Sequence, residues 1–251
     1  MGALHAGHTS LIRAARAACA HIVVSLFVNP TQFGPSEDYA RYPRAFEADC
    51  TLSEAQGADV LFAPPVQEVY PPGAETFVDL ENLGRRLDGL SRPGHFRGVA
   101  TVVAKLLIAA EPDFAFFGQK DAAQVAVLRR MFADLRFATE IVVCPIVRDA
   151  DGLALSSRNA YLSPAQRTQA LLLSQAVREV ESLVAMGERR GTALIEAARA
   201  IFDRTPGLRV DYIALVDRAT LEHVKTAVPG TLFAVAAWLG ETRLIDNSIL
   251  S

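Results

Sequence analysis

Hydrophobic positions over the first 145 residues switch repeatedly between a helical and a strand period. Residues 10–19 carry apolar side chains at helical spacing, and 21–28 (HIVVSLFV) form an unbroken apolar run ended by Asn29-Pro30. An apolar run rich in β-branched residues is how a strand buried on both faces of a parallel sheet reads before a loop. The alternation recurs: a helix over 46–56 stopped by Gly57 and a strand over 59–63 ended by Pro64-Pro65, a helix over 99–110 and a strand over 113–117, a helix over 122–133 and a strand over 139–143. Strands alternating with helices of this length imply right-handed crossovers and a parallel sheet covered by helices on both faces. After Pro145 the alternation stops. Two helical stretches, 164–186 and 192–202, precede strand-like runs at 209–216, 232–238 and 242–249, which read as a small, largely antiparallel sheet. The expected architecture is therefore α/β over residues 1–146, followed by a second, smaller α+β domain over 147–251.

Composition excludes several classes of function. The chain has 251 residues, of which 51% are hydrophobic and 21% charged, and its net charge is -3. There is no basic surplus to neutralise a nucleic-acid backbone or an anionic membrane, so a bound anion must be held by a few placed cations. Apolar runs such as 232–239 are too short to span a bilayer, and the first residues do not read as a signal peptide. The three cysteines, Cys19, Cys50 and Cys144, are odd in number and form no C-x-x-C pair, which fits reduced thiols in the cytoplasm.

Three stretches carry candidate chemistry. Met1-Gly2-Ala3-Leu4-His5-Ala6-Gly7-His8 leads into a helix expected to open near Thr9. Two imidazoles at a helix start, with the unpaired amides of its first turn and its positive dipole end, suit a polyphosphate, and Gly7 lets backbone approach a nucleotide. By themselves two histidines in eight residues are equally a solvated terminus. Gly118-Gln119-Lys120-Asp121 follows a strand at its carboxyl end, where open α/β sheets bind ligands, so Lys120 can reach phosphates and Asp121 a ribose hydroxyl. Ser156-Ser157-Arg158 offers two hydroxyls and a guanidinium fork within three residues, suited to phosphates or, more plainly, to capping a turn.

His5-Ala6-Gly7-His8 resembles the H-x-G-H signature of the nucleotidyltransferase superfamily. Further segments narrow the resemblance to the pantothenate synthetase (pantoate–β-alanine ligase) family. They are 27–33 (FVNPTQF), 117–124 (FGQKDAAQ) and 155–159 (LSSRN), supported by 42–44 (YPR), 92–99 (RPGHFRGV) and 243–247 (RLIDN). The resemblance implies a Rossmann-like first domain and ATP-dependent condensation of (R)-pantoate with β-alanine through a pantoyl adenylate. It implies ATP contacts from Met1, Gly2, Ala3, Leu4, His5, Gly7, His8, Gly118, Gln119, Lys120, Asp121, the Val147 backbone, Leu155, Ser156, Ser157 and Arg158. His8 and Lys120, assisted by His5, would stabilise charge on the α-phosphate, and Gln32, Gln124 and Asn29 would hold the acid substrate. Magnesium would arrive between phosphate oxygens without a dedicated protein cluster, Asp49 being at most an outer partner, and a homodimer is expected.

Departures from the family pattern are Leu155 for Met, Gln119 for Glu, Ala123 for Gln and Asp88 for Glu. Leu for Met conserves apolar volume. The sequence opens at the methionine inside the first motif, so the strand that precedes this motif in the family is expected to be missing from the sheet. A superfamily adenylyltransferase acting on a phosphorylated precursor would need extra cations for its second phosphate, and a non-catalytic nucleotide-binding remnant is the alternative of a different class.

Overall fold

The computed structural model describes residues 2–35, 37–205 and 207–251. The chain forms two compact units. The first is Met1–Gly118 with Val127–Pro145, the second Gln119–Ala126 with Ile146–Ser251. Gln119–Ala126, expected within the first domain, is thus grouped with the second unit.

In the first unit, α1 (Ala6–Ala18) leads to β1 (Val23–Ser25), α2 (Phe46–Ala55) to β2 (Val60–Phe62), and the one-turn helices α3 (Val66–Val69) and α4 (Asp88–Ser91) to α5 (His95–Ala110). β3 (Phe114–Gly118), α6 (Ala122–Leu135) and β4 (Glu140–Cys144) follow. The parallel strands pair as β1 with β2, from Val23 opposite Val60 to Ser25 opposite Phe62, and β3 with β4, from Phe114 opposite Glu140 to Gly118 opposite Cys144. These are two separate two-stranded ladders among the described residues. The run at 21–28 yields only three strand residues, because its partner is cut short by Pro64-Pro65, which lack donors. Ile12 and Ala15 of α1 pack on Ile22 and Val24, with Leu61 of β2 and Phe116 of β3 against the same cluster.

α1 starts three residues earlier than the sequence suggests. His5 is its N-cap, and His8 completes a reciprocal capping box. Histidine is absent from the usual capping residues, so the signal was hidden. α5 likewise starts at His95 instead of Val99, after Gly94 at φ +84°, a conformation that costs glycine little.

In the second unit, α7 (Pro164–Ala185) opens on a Ser163/Gln166 capping box with Pro164 at its first position, and α8 (Gly191–Phe202) follows. β5 (Leu208–Val216), β6 (Leu232–Leu239) and β7 (Thr242–Ile249) form one antiparallel sheet in the order β5-β6-β7. The core of this unit joins Leu173, Val177 and Val180 of α7 and Leu194 and Phe202 of α8 to Leu215, Phe233 and Val235 of the sheet.

Candidate active site

The histidines at the start of α1 are oriented by backbone donors. Gly7 N–H donates to His5 Nδ1 at 3.1 Å, and His5 N–H donates to His8 Nδ1 at 3.3 Å. A backbone N–H can only donate, so each Nδ1 is the acceptor and each neutral ring carries its proton on Nε2. The rings lie 4.1 Å apart, tilted by 43°. Both therefore present an N–H donor beside the positive end of a thirteen-residue helix.

The segment before them is fixed by a carboxylate. Asp49, 5% exposed near the start of α2, accepts from Ala3 N–H at 2.8 Å and Leu4 N–H at 2.7 Å, and Ala3 sits at φ +50°. Its two oxygens hold a non-glycine residue in the left-handed region, a cost of about 1 kcal/mol. Asp49 is thus a backbone clamp. Gly2 is pressed against the segment that follows β1: a Cβ there would lie 2.9 Å from Val28 Cγ2. Met1 lies outside the described residues.

The turn after β1 carries the residues expected to bind the acid. Pro30–Gln32 forms a 3₁₀ turn capped by Asn29, whose Oδ1 accepts from Thr31 N–H at 3.3 Å. Buried Asn29 also accepts from Tyr70 Oη at 2.9 Å and donates to Gln32 Oε1 at 3.2 Å and to Gly98 O at 3.1 Å. Asn29 thereby orients the Gln32 amide, a role the sequence did not display. Gly118 ends β3, and a Cβ at that position would meet nothing within 4 Å.

The second unit holds the other candidates. Gln119, Lys120 and Asp121 form a 3₁₀ turn, with Lys120 Nζ 3.3 Å from Asp121 Oδ1. Asn247 of β7, 4% exposed, fastens this turn: its Nδ2 donates to Gln119 O at 3.1 Å and Lys120 O at 2.9 Å, and its Oδ1 accepts from Gln119 Nε2 at 2.9 Å. The Gln119 side chain is therefore engaged with Asn247. Asp246 beside it takes a bidentate pair from Arg148 at 2.6 and 2.9 Å, holding the start of a hairpin to β7. That hairpin, turning at Gly152 with φ +96°, brings Val147 opposite Leu155, whose N–H donates to Val147 O at 2.9 Å. Ser156 follows and caps the turn Ser157–Tyr161, its Oγ accepting from Arg158 N–H at 3.3 Å. Val147, Leu155, Ser156, Ser157 and Arg158 are thus local neighbours. Gln124 lies half-buried on the first turn of α6, next to buried Ala123.

Among the described residues no group of three or more His, Cys, Asp or Glu is placed to hold a metal. Asp49 is engaged by backbone and Asp121 by Lys120. Imidazole N–H groups, a lysine and an arginine fork are donors and cations, the chemistry that receives phosphate oxygens. Such donors, in each unit taken by itself, suit a nucleotide-dependent enzyme.

The family model described as pantoate-beta-alanine ligase matches residues 1–249. A pantothenate synthetase of Acidobacterium capsulatum is 59% identical over 250 residues, covering 100% of this chain and 84% of that protein. The crystal structure of pantothenate synthetase from Thermus thermophilus superposes with a TM-score of 0.96 at 46% identity, covering 99% of this chain and 90% of that one. A pantoate-beta-alanine ligase from Francisella tularensis, complexed with beta-gamma ATP and beta-alanine, gives a TM-score of 0.80 at 33% identity, with 99% and 87% covered. The chain belongs to the pantoate–β-alanine ligase family.

Proposed function

We propose that the chain condenses (R)-pantoate with β-alanine at the expense of ATP, releasing AMP and pyrophosphate. The observation that carries this reading is the pair of histidines locked as Nε2–H donors at the start of α1. A pantoate carboxylate oxygen attacks the α-phosphorus, the bond from that phosphorus to the bridging oxygen breaks, and pyrophosphate leaves with the electron pair. The β-alanine amine then attacks the acyl carbon of the adenylate, the acyl C–O bond breaks, AMP departs and the amine proton goes to solvent.

His8 and Lys120, with His5, stabilise the charge that builds on the α-phosphate oxygens, where preorganised donors contribute most. Gly2, Ala3, Leu4 and Gly7, with Gly118 and Gln119, contact the nucleotide largely through backbone, and the Asp121 carboxylate accepts from a ribose hydroxyl. Val147 and Leu155 face adenine, and Ser156, Ser157 and Arg158 hold the departing pyrophosphate. Gln32 and Gln124 bind pantoate, Asn29 acting through Gln32. Magnesium would be held by the phosphate oxygens themselves, since the carboxylates Asp49 and Asp121 are already engaged, and would supply charge neutralisation there. The second domain is taken as 147–251, the protein as a cytoplasmic homodimer, in keeping with three free cysteines; sedimentation giving twice the chain mass checks the dimer.

The test is pyrophosphate release with ATP, magnesium and pantoate, with and without β-alanine, beside His8→Ala. Release that requires pantoate, yields pantothenate once β-alanine is added and falls at least about a hundredfold in the variant is expected. A folded protein that releases none defeats the reading.

A further inference from the structure

The turn bearing Gln32 is also held by charged side chains that the ligase chemistry leaves unused. Arg92 closes α4 and His95 opens α5, with His95 N–H donating to Arg92 O at 3.0 Å. Glu37, just past the turn, takes two bonds from Arg92, from Nε at 3.0 Å and Nη2 at 2.6 Å. Nη1 of Arg92 lies 3.0 Å from His95 Nε2. A guanidinium has donors only, so Nε2 is the acceptor and the imidazole proton resides on Nδ1. That Nδ1–H is 2.8 Å from the carbonyl oxygen of Gln32, which also receives a longer bond from Arg92 Nη2 at 3.4 Å. His95 is 9% exposed, and the Arg92 and Glu37 side chains are 13% and 18% exposed. A buried ion pair is costly unless its donors and acceptors are matched, and here Nε, Nη1 and Nη2 each have a partner.

We propose that Glu37, Arg92 and His95 are positioning residues for the hydroxy-acid substrate, a directional relay that places Gln32 through its backbone carbonyl. Glu37 fixes the guanidinium, the guanidinium fixes the imidazole tautomer, and the imidazole fixes the turn. Asn29 orients the Gln32 amide from the other side, so the relay sets position and Asn29 sets direction. The bonds of the relay run among its own members and to the Gln32 turn, so its loss weakens pantoate and spares ATP. The proposal rests on the reading that Gln32 holds pantoate.

Steady-state pyrophosphate release, with pantoate and ATP varied in turn, tests it through two substitutions of one residue. His95→Asn keeps an amide donor near the Nδ1 position, whereas His95→Gln keeps one near Nε2 and loses the bond to Gln32. His95→Gln is expected to raise the pantoate KM about tenfold with the ATP KM within about twofold, and His95→Asn to restore most of the loss. Arg92→Lys, which keeps the charge but not the fork, shifts the pantoate KM in the same direction. A residue that only fills space gives the reverse ranking, because Gln is nearer His in volume, and moves both KM values together with the melting temperature; that result overturns the relay. Gln32→Ala separates the two failures. If it leaves the pantoate KM unchanged, the Gln32 reading falls and takes the relay with it; if it raises the KM while His95→Gln does not, only the relay falls.

Discussion

Asp49 shows how much a single carboxylate can decide. Its two oxygens accept the Ala3 and Leu4 amides and hold Ala3 at φ +50°, directly before the residues whose ring nitrogens are set by the backbone. Asp49→Asn turns one acceptor into an NH₂ facing an N–H, and the buried mismatch is expected to cost about 2 kcal/mol of stability and about tenfold in ATP affinity. Chemical denaturation and calorimetric ATP titration read both, and unchanged ATP affinity removes Asp49 from nucleotide positioning. His95 predicts a pH dependence. Burial, then the facing Arg92 charge, lowers its pKa from 6.5 to about 4, opposed by its bond to Gln32 and by Asp88 and Glu37. The unfolded chain binds the proton first, so stability is complete above pH 6.5 and is lost as pH falls toward 4; about 2 kcal/mol should disappear between pH 7 and pH 5. Glu37, with burial outweighed by Arg92, is lowered as well and adds loss of the same sign below its ordinary range. Denaturant midpoints at the two pH values check this, and His95→Asn should flatten the slope over that interval. At this scale the sequence displayed the histidines, Lys120 and the Ser-Ser-Arg cluster through their types and spacing. It did not display Asp49, His95 or Asn247 in their roles, since each acts on backbone 45, 63 or 127 residues away or more.

Elements were legible where periodicity and caps agreed, and less so where a partner decides. α7 runs Pro164–Ala185, within one residue of the stretch marked by its hydrophobic spacing and Ser163-Pro164 opening. β1 shrank to Val23–Ser25 because a strand needs a ladder, and the apolar run contains no information about the length of the segment opposite. The contact of α5 with the Pro30–Gln32 turn was equally invisible, although Gly98 within a helix hints at it. A Cβ at Gly98 would lie 2.3 Å from Thr31 O and 2.7 Å from Gln32 Cα. Helix propensity alone makes Gly98→Ala stabilising by about 1 kcal/mol. Collision with backbone, which cannot rotate away as a side chain can, should instead give a net loss of about 2 kcal/mol or more. A lowered melting temperature with a raised pantoate KM is expected, and a more stable, fully active variant would show that the turn moves aside without consequence.

The two units differ in how they bury themselves, and this shapes how the whole chain unfolds. The first relies on parallel ladders of three and five residues, and Val23, Val60, Phe62 and Phe114 on those strands remain 38–53% exposed. The second has a continuous antiparallel sheet in which six consecutive β6 residues, Leu232–Ala237, are buried, and Phe233, Val235 and Ala237 share one core with α7 and α8. Local stability follows buried apolar contact, so the first unit should open before the second. The chain's one tryptophan, Trp238, lies on β6 and reports the second unit alone. Thermal unfolding followed by tryptophan fluorescence should therefore lag behind the loss of helical circular dichroism. Val24→Ala should lower the early transition and Phe233→Ala the late one, since their cores are separate clusters. The opposing influence is α6, whose first turns belong to the second unit and whose remainder belongs to the first. If that shared helix couples the units strongly, both probes trace one curve and either substitution shifts it whole, which would sink the two-step prediction.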